Sequence, residues 1–155
     1  MFKHILVALD GSTYSQLALP AAIEVARKFD SEVLVLHVTE HDRGRAVMFT
    51  LETPADVTIM VGEGVKAAHE AGVAARGKVR DAAAGHVAKA IVETALANGI
   101  DLIVMGSRGL SDIQGLMLGS VTHKVMQTAD IPVLVVRATE RKPVATNGAA
   151  KAFKI

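Results

Sequence analysis

A chain of 155 residues, 50% of them hydrophobic, is long enough for one domain with a sizeable core. It has no cysteine, which excludes disulfides, thiolate nucleophiles and Cys-ligated zinc. The net charge of +1 is uneven: Arg137, Arg141, Lys142, Lys151 and Lys154 face only Glu140 in residues 137–155, while the body before them is mildly acidic. This distribution is not the basic face of a nucleic-acid binder.

The first apolar run, Ile5–Leu9, reads as a buried strand and is too short for a signal-peptide core. A helix follows, with Leu17, Ala21 and Val25 at four-residue spacing and Ala18, Ala22 and Phe29 beside them. Pro20 inside this pattern implies a kink or a late start. Ser12 and Thr13 are the N-cap candidates. Val33–Val38 is a second strand, and His37 within it reads as a satisfied buried histidine. Residues 40–56 read as a long loop, and residues 57–76 as a helix through Val57, Val61, Val65 and Ala68. Val79–Ala84 is a weaker strand candidate. A helix through Val87, Ile91 and Ala95 is closed by Asn98-Gly99. Leu102–Met105 is a strand, Ser120–Thr128 a helix with Ser120 as its N-cap, and Pro132–Val136 the last strand. Residues 138–155 read as a basic, mobile tail on a domain of residues 1–137. Strands alternating with helices predict an α/β fold, a single parallel sheet covered by helices on both faces. No apolar stretch approaches the ~18 residues that span a bilayer, so a cytoplasmic protein is expected, with no membrane insertion.

The chemistry concentrates after the fourth strand. Gly106-Ser107-Arg108-Gly109 is followed by nine residues and then Gly119-Ser120. Strand, glycine turn, loop and helix N-terminus together make a phosphate cradle: amides and the positive helix end attract an anion. Glycines at 106 and 109 are expected to take positive φ and turn amides inward. The motif holds no lysine, so the charge complement falls to Arg108, backbone amides and a metal ion. In an open parallel sheet such a site lies beyond the strand C-termini, where strand order reverses.

With Asp10-Gly11-Ser12 after the first strand and the pattern Gly-x2-Gly-x9-Gly-Ser/Thr after the fourth, the chain resembles the universal stress protein family from residue 2 to about residue 137. Phe2–Ser12, Val33–Val38, Asp101–Leu110, Gly119–Val121 and Pro132–Val136 carry the resemblance, and the glycine spacing is that of the family's ATP-binding branch. It implies a Rossmann-like five-stranded sheet of order 3-2-1-4-5 with a crevice between Asp10 and Gly106. It also implies ATP, or ADP or AMP, with Mg²⁺ or Mn²⁺. Ala8, Leu9 and Asp10 would border ribose and adenine, with Asp10 also reaching the phosphate-bound metal. Val38 would meet the adenine edge through its backbone, and Met105 would pack on the ring. Gly106, Arg108 and Gly109 would hold the phosphates, with Gly119, Ser120 and Val121 on the far side. A homodimer through Pro132–Arg137 is implied too, and an apolar edge strand independently favours a partner.

The resulting expectation is a nucleotide-binding, stress-response sensor that offers a changed surface to an unknown protein partner when the 107–118 and 40–56 loops order. Two alternatives stand beside it. One is a slow ATPase or nucleotide-transferring enzyme, slow because no base for water is visible. The other is a dimeric interaction module without nucleotide. A decoy also exists: Gly62-Glu63-Gly64-Val65-Lys66-Ala67 matches G-x-G-x-x-A after Val57–Val61, with Asp81 near the place of a ribose-binding acid, as in an NAD unit, but the match is short and Pro54-Ala55-Asp56 before it reads as a helix start.

Overall fold

The computed structural model describes residues 1–41, 53–109 and 118–137. In chain order they form β1 (His4–Ala8), α1 (Thr13–Phe29), β2 (Glu32–His41), α2 (Pro54–Glu70), β3 (Ala75–Ala83), α3 (Val87–Ala97), β4 (Leu102–Gly106), α4 (Ser120–Thr128) and β5 (Val133–Val136). All four strand pairings are parallel, and the order is β3-β2-β1-β4-β5. This is the five-stranded α/β sheet implied by the resemblance.

The sheet is buried on both sides because its central strands carry apolar runs, Ile5–Ala8, Val33–Leu36 and Leu102–Met105. Ile5 and Val7 join Val33, Val35, Leu102 and Val104 in a core shared with Ala18, Ala22 and Ala26 of α1 and Val61 and Ala68 of α2. Leu6 joins Leu34, Leu36, Ile103 and Met105 in a second core with Ala88, Ile91 and Ala95 of α3 and Val125 of α4. The period of two along each strand thus divides the apolar residues between the two helical layers. β1 pairs with β2 on one side and β4 on the other, with Ala8 opposite both Leu36 and Met105. The two crossovers leave this point in opposite directions, which opens a crevice beyond the ends of β1 and β4.

Local chemistry sets the boundaries. Ser12 caps α1, its hydroxyl accepting from the Ser15 N–H at 3.2 Å. The helix runs unbroken from Thr13 through Pro20 to Phe29, so Pro20 is not a late start. At the far end Lys3 Nζ donates to the carbonyls of Phe29 and Asp30, at 3.0 and 3.1 Å. α2 starts earlier than the apolar spacing predicts. Pro54 occupies its first turn, and Thr53 and Asp56 form a capping box. It also ends earlier, at Glu70, where Gly72 takes φ +77° and turns the chain into β3.

β3 begins at Ala75, and β2 extends to His41, where it still pairs with Ala83. Residues 40 and 41 therefore belong to a strand and residues 54–56 to a helix; the rest of the expected loop, 42–52, lies outside the described residues. The expected tail, 138–155, lies outside them as well. Pro132 precedes β5 instead of opening it, and its carbonyl accepts from the Ile103 N–H at 2.9 Å. Among the described residues no helix is long and apolar enough to cross a membrane.

Candidate functional site

β1 delivers the chain to the crevice at Ala8, and the next four residues form a tied turn. The Leu9 N–H donates to the Leu36 carbonyl at 2.8 Å, extending the ladder by one residue. The His37 ring Nδ1 meets the Leu9 carbonyl at 2.9 Å, which satisfies this buried histidine and fixes Leu9 from the neighbouring strand. Asp10 Oδ1 accepts from the Ser12 N–H at 3.0 Å and from the Ser12 hydroxyl at 2.6 Å. That is the side-chain-to-backbone closure that Asp brings to turns, with Gly11 between at φ 79°. The Asp10 N–H donates to Ser15 Oγ at 3.3 Å.

With Oδ1 engaged, Asp10 Oδ2 faces Gly109. A methyl group on Gly109 would lie 2.6 Å from that oxygen. On Gly106 it would lie 2.6 Å from the Tyr14 carbonyl carbon and 2.7 Å from its oxygen. Close approach of backbone requires the glycine at 106, whereas at 109 only the end of the Asp10 side chain stands in the way. The expected positive φ is not found at either; at Gly106 it is the first turn of α1, packed against the end of β4, that leaves no room for a Cβ.

The loop after β4 is closed by its own ends. The Gly119 N–H donates to the Ser107 carbonyl at 2.8 Å, and a methyl group on Gly119 would lie 3.2 Å from Arg108 Cα. Beneath them the Thr122 hydroxyl donates to the Gly106 carbonyl at 2.8 Å, and the Ser107 N–H donates to the Val136 carbonyl at 2.8 Å. Residues 106–109 and 119–122 are thus one clasped unit; residues 110–117 between them lie outside the described residues.

Gly119, not Ser120, is the N-cap of α4, because its backbone is extended (φ −70°, ψ 152°) and Ser120 is already helical. Glycine supplies no side-chain acceptor, and no side-chain capping bond forms at this end. α1 and α2 are both capped by a hydroxyl. α3, like α4, has no side-chain cap, but the uncapped end of α4 lies beside the 106–109 turn, where a helix N-terminus attracts an anion.

Of the sequence-singled residues, Ala8, Val38, Met105 and Val121 all pack on the α3/α4 side of the sheet. Leu9 packs on the α1/α2 side. Asp10, Gly106, Arg108, Gly109, Gly119 and Ser120 gather at the crevice mouth. Two residues that sequence reasoning missed belong with them. Thr122 holds Gly106, as above. Tyr14 lies under Arg108: the guanidinium carbon is 5.5 Å from its ring centroid, and Nη1–H donates to its hydroxyl oxygen at 3.2 Å.

Charge elsewhere is structural. The Arg80 hydrogen bond, 2.5 Å, holds the Glu93 carboxyl below the usual carboxylate range, and that pair lies between β3 and α3. Among the described residues no three His, Asp or Glu side chains gather as a metal centre. The decoy fails on geometry: Gly62, Gly64 and Ala67 are inside α2, not in a strand-to-helix turn. Gly64 instead lets α2 approach the sheet, since a methyl group there would meet Val35 at 3.1 Å and Leu9 at 3.3 Å.

Residues 1–137 match the model of the universal stress protein family. The chain belongs to that family. Universal stress protein YxiE of Bacillus subtilis is 37% identical, over 88% of this chain and 100% of its own length. Two solved structures share the fold of this universal stress protein. The hypothetical protein MJ0577, a test case for assigning biochemical function from structure, superposes with a TM-score of 0.69 at 27% identity, covering 90% of this chain and 98% of the other. A universal stress protein in complex with cAMP superposes with a TM-score of 0.66 at 26% identity, covering 89% and 98%.

Proposed function

We propose that this universal stress protein binds an adenine nucleotide, ATP first among them, in the crevice between β1 and β4, and acts as a dimeric regulator whose output is a binding event. The observation that carries this reading is the start of α4, without a side-chain cap and clasped beside Gly106–Gly109, with Asp10 Oδ2 against Gly109. Amides of that kind bind phosphate oxygens, and the helix dipole favours the negative charge. The apolar wall of Ala8, Val38, Met105 and Val121 suits a base, as in pockets generally: mostly apolar with a few placed polar groups. The complex of a structural relative with cAMP supports adenine as the base.

A divalent ion fits this donor set only as a guest of the phosphates. Asp10 offers one oxygen, Oδ2, its other being held by Ser12. Magnesium at nucleotide sites is commonly held by one or two carboxylates plus phosphates. Bound there, the ion would neutralise phosphate charge while Asp10 orients it. The dimer reading is supported by β5, an edge strand that exposes Leu134.

The test is to denature the purified protein and identify what it releases by mass spectrometry, with wild type beside Gly109→Ala. About one adenine nucleotide per chain from wild type, and none from the variant, supports site and ligand together. No nucleotide released, and none taken up from added Mg-ATP, overturns the reading.

A further inference from the structure

The cation that this reading assigns to phosphate does not stand alone: Arg108 rests on Tyr14. The two residues are 94 apart in sequence, yet the guanidinium carbon sits 5.5 Å from the ring centroid and Nη1–H donates to the phenol oxygen at 3.2 Å. Both kinds of contact restrict a long, rotamer-rich side chain to one region. Tyr14 is itself fixed. It is the second residue of α1, directly after the Ser12 cap and Thr13, and its carbonyl packs where Gly106 has no side chain. The phenol oxygen that accepts from Arg108 still carries its own O–H. A guanidinium and a hydroxyl donor thus lie together on the α1 wall of the crevice. The start of α4, without a side-chain cap, lies beside the Arg108 backbone: a methyl group placed on Gly119 would lie 3.2 Å from Arg108 Cα.

We propose that Tyr14 is a positioning residue that holds Arg108 at the α1 wall, so that the site favours nucleotides with phosphates beyond the first. The inference rests on the nucleotide-binding reading above. One phosphate satisfies the amides at the start of α4. A longer chain of phosphates also reaches the Tyr14-anchored guanidinium, and each added negative charge strengthens that contact. Adenosine and AMP do not depend on it.

The experiment is calorimetric titration of the full chain with adenosine, AMP and ATP, for wild type, Tyr14→Phe, Tyr14→Ala, Arg108→Ala and the Tyr14→Ala/Arg108→Ala double variant. Loss of one cation–π contact and one hydrogen bond is expected to weaken ATP about 3- to 10-fold in Tyr14→Ala. Tyr14→Phe, which keeps the ring, should fall between. Adenosine and AMP should change by less than about 2-fold, a split that general loss of structure would not produce. The double variant should bind ATP no more weakly than Arg108→Ala, because Tyr14 acts through Arg108.

Tyr14 is the sole tyrosine and the chain has no tryptophan, so its emission gives a second measurement that needs no change at position 14. ATP should alter that emission in wild type and leave it nearly unchanged in Arg108→Ala. Wild-type binding of ATP with equal losses for all three ligands in Tyr14→Ala, or with no loss, overturns the inference alone. An ATP-induced emission change that persists in Arg108→Ala does the same. Absence of any adenine-nucleotide binding by wild type overturns the reading beneath it and the inference together.

Discussion

Replacing Gly106 by alanine tests whether close approach, not backbone freedom, is what the end of β4 demands. The added methyl group would lie 2.6 Å from one Tyr14 backbone atom, 2.7 Å from a second and 2.9 Å from the Ser15 nitrogen. These are backbone atoms of the first turn of α1, so no side chain can swing aside. All five residues of β4 are buried, and the Gly106 carbonyl is held by Thr122, so the strand cannot yield freely either. Overpacking of this kind costs about 1–3 kcal/mol, and two rigid partners place the effect near the upper end, about 2–3 kcal/mol. For a chain of this size that lowers Tm by roughly 4–12 °C. Gly62→Ala is the matched control. Its new methyl group meets nothing within 4 Å, so it should stabilise α2 by about 0.5–1 kcal/mol through helix propensity. Urea unfolding of both variants, followed by circular dichroism with m-values compared, gives the difference directly. A Gly106→Ala midpoint equal to or above that of wild type would refute the packing argument.

Gly109→Ala should part stability from binding. Its methyl group meets only the end of the Asp10 side chain, so thermal unfolding should shift by less than about 1 kcal/mol while retained nucleotide falls sharply; equal retention in both proteins would exclude Asp10 and Gly109 from the site. The capping box of α2 makes a pH prediction. Hydrogen bonds from the Thr53 hydroxyl, and then from its N–H, hold the Asp56 carboxyl below the usual carboxylate range. A carboxyl lowered in the folded state stabilises the fold above its unfolded value, and that contribution fades as pH falls through the folded value. The stability gap between wild type and Asp56→Asn should therefore narrow from neutral pH into the acid range; a gap constant with pH would refute it. Leu134→Lys, which puts a charge on the exposed face of β5, should convert a dimer to a monomer in light scattering coupled to gel filtration. An unchanged mass would remove β5 from the interface.

What the sequence made legible follows from which residues are buried. β1, β4 and Val33–Leu36 of β2 are apolar because both faces are covered, so they stand out as continuous runs. β3 is harder to see. Arg76, Lys78 and Asp81 are exposed on an edge strand, which leaves no hydrophobic period to read. The start of α2 lies outside the apolar period: its signal is the Thr53/Asp56 capping box and Pro54, whereas the apolar spacing begins only at Val57. At the site, the glycine pattern and Asp10 were visible as spacing. The positive φ expected of Gly106 and Gly109 was wrong, because spacing reports that a Cβ is excluded but not what excludes it. Tyr14 and Thr122 were invisible since their partners, Arg108 and Gly106, are distant in sequence.

The two rims of the sheet also set how far assembly can go. At one rim β3 presents Arg76 and Lys78 to solvent, and at the other β5 presents Leu134. A sheet with two adhesive rims adds copies head to tail without end. In the proposed dimer, joining through β5 covers Leu134, and among the described residues the rim left outside carries exposed Arg76, Lys78 and Asp81 around Val79. Under that proposal growth would terminate at two chains, a discrete molecule instead of a ribbon.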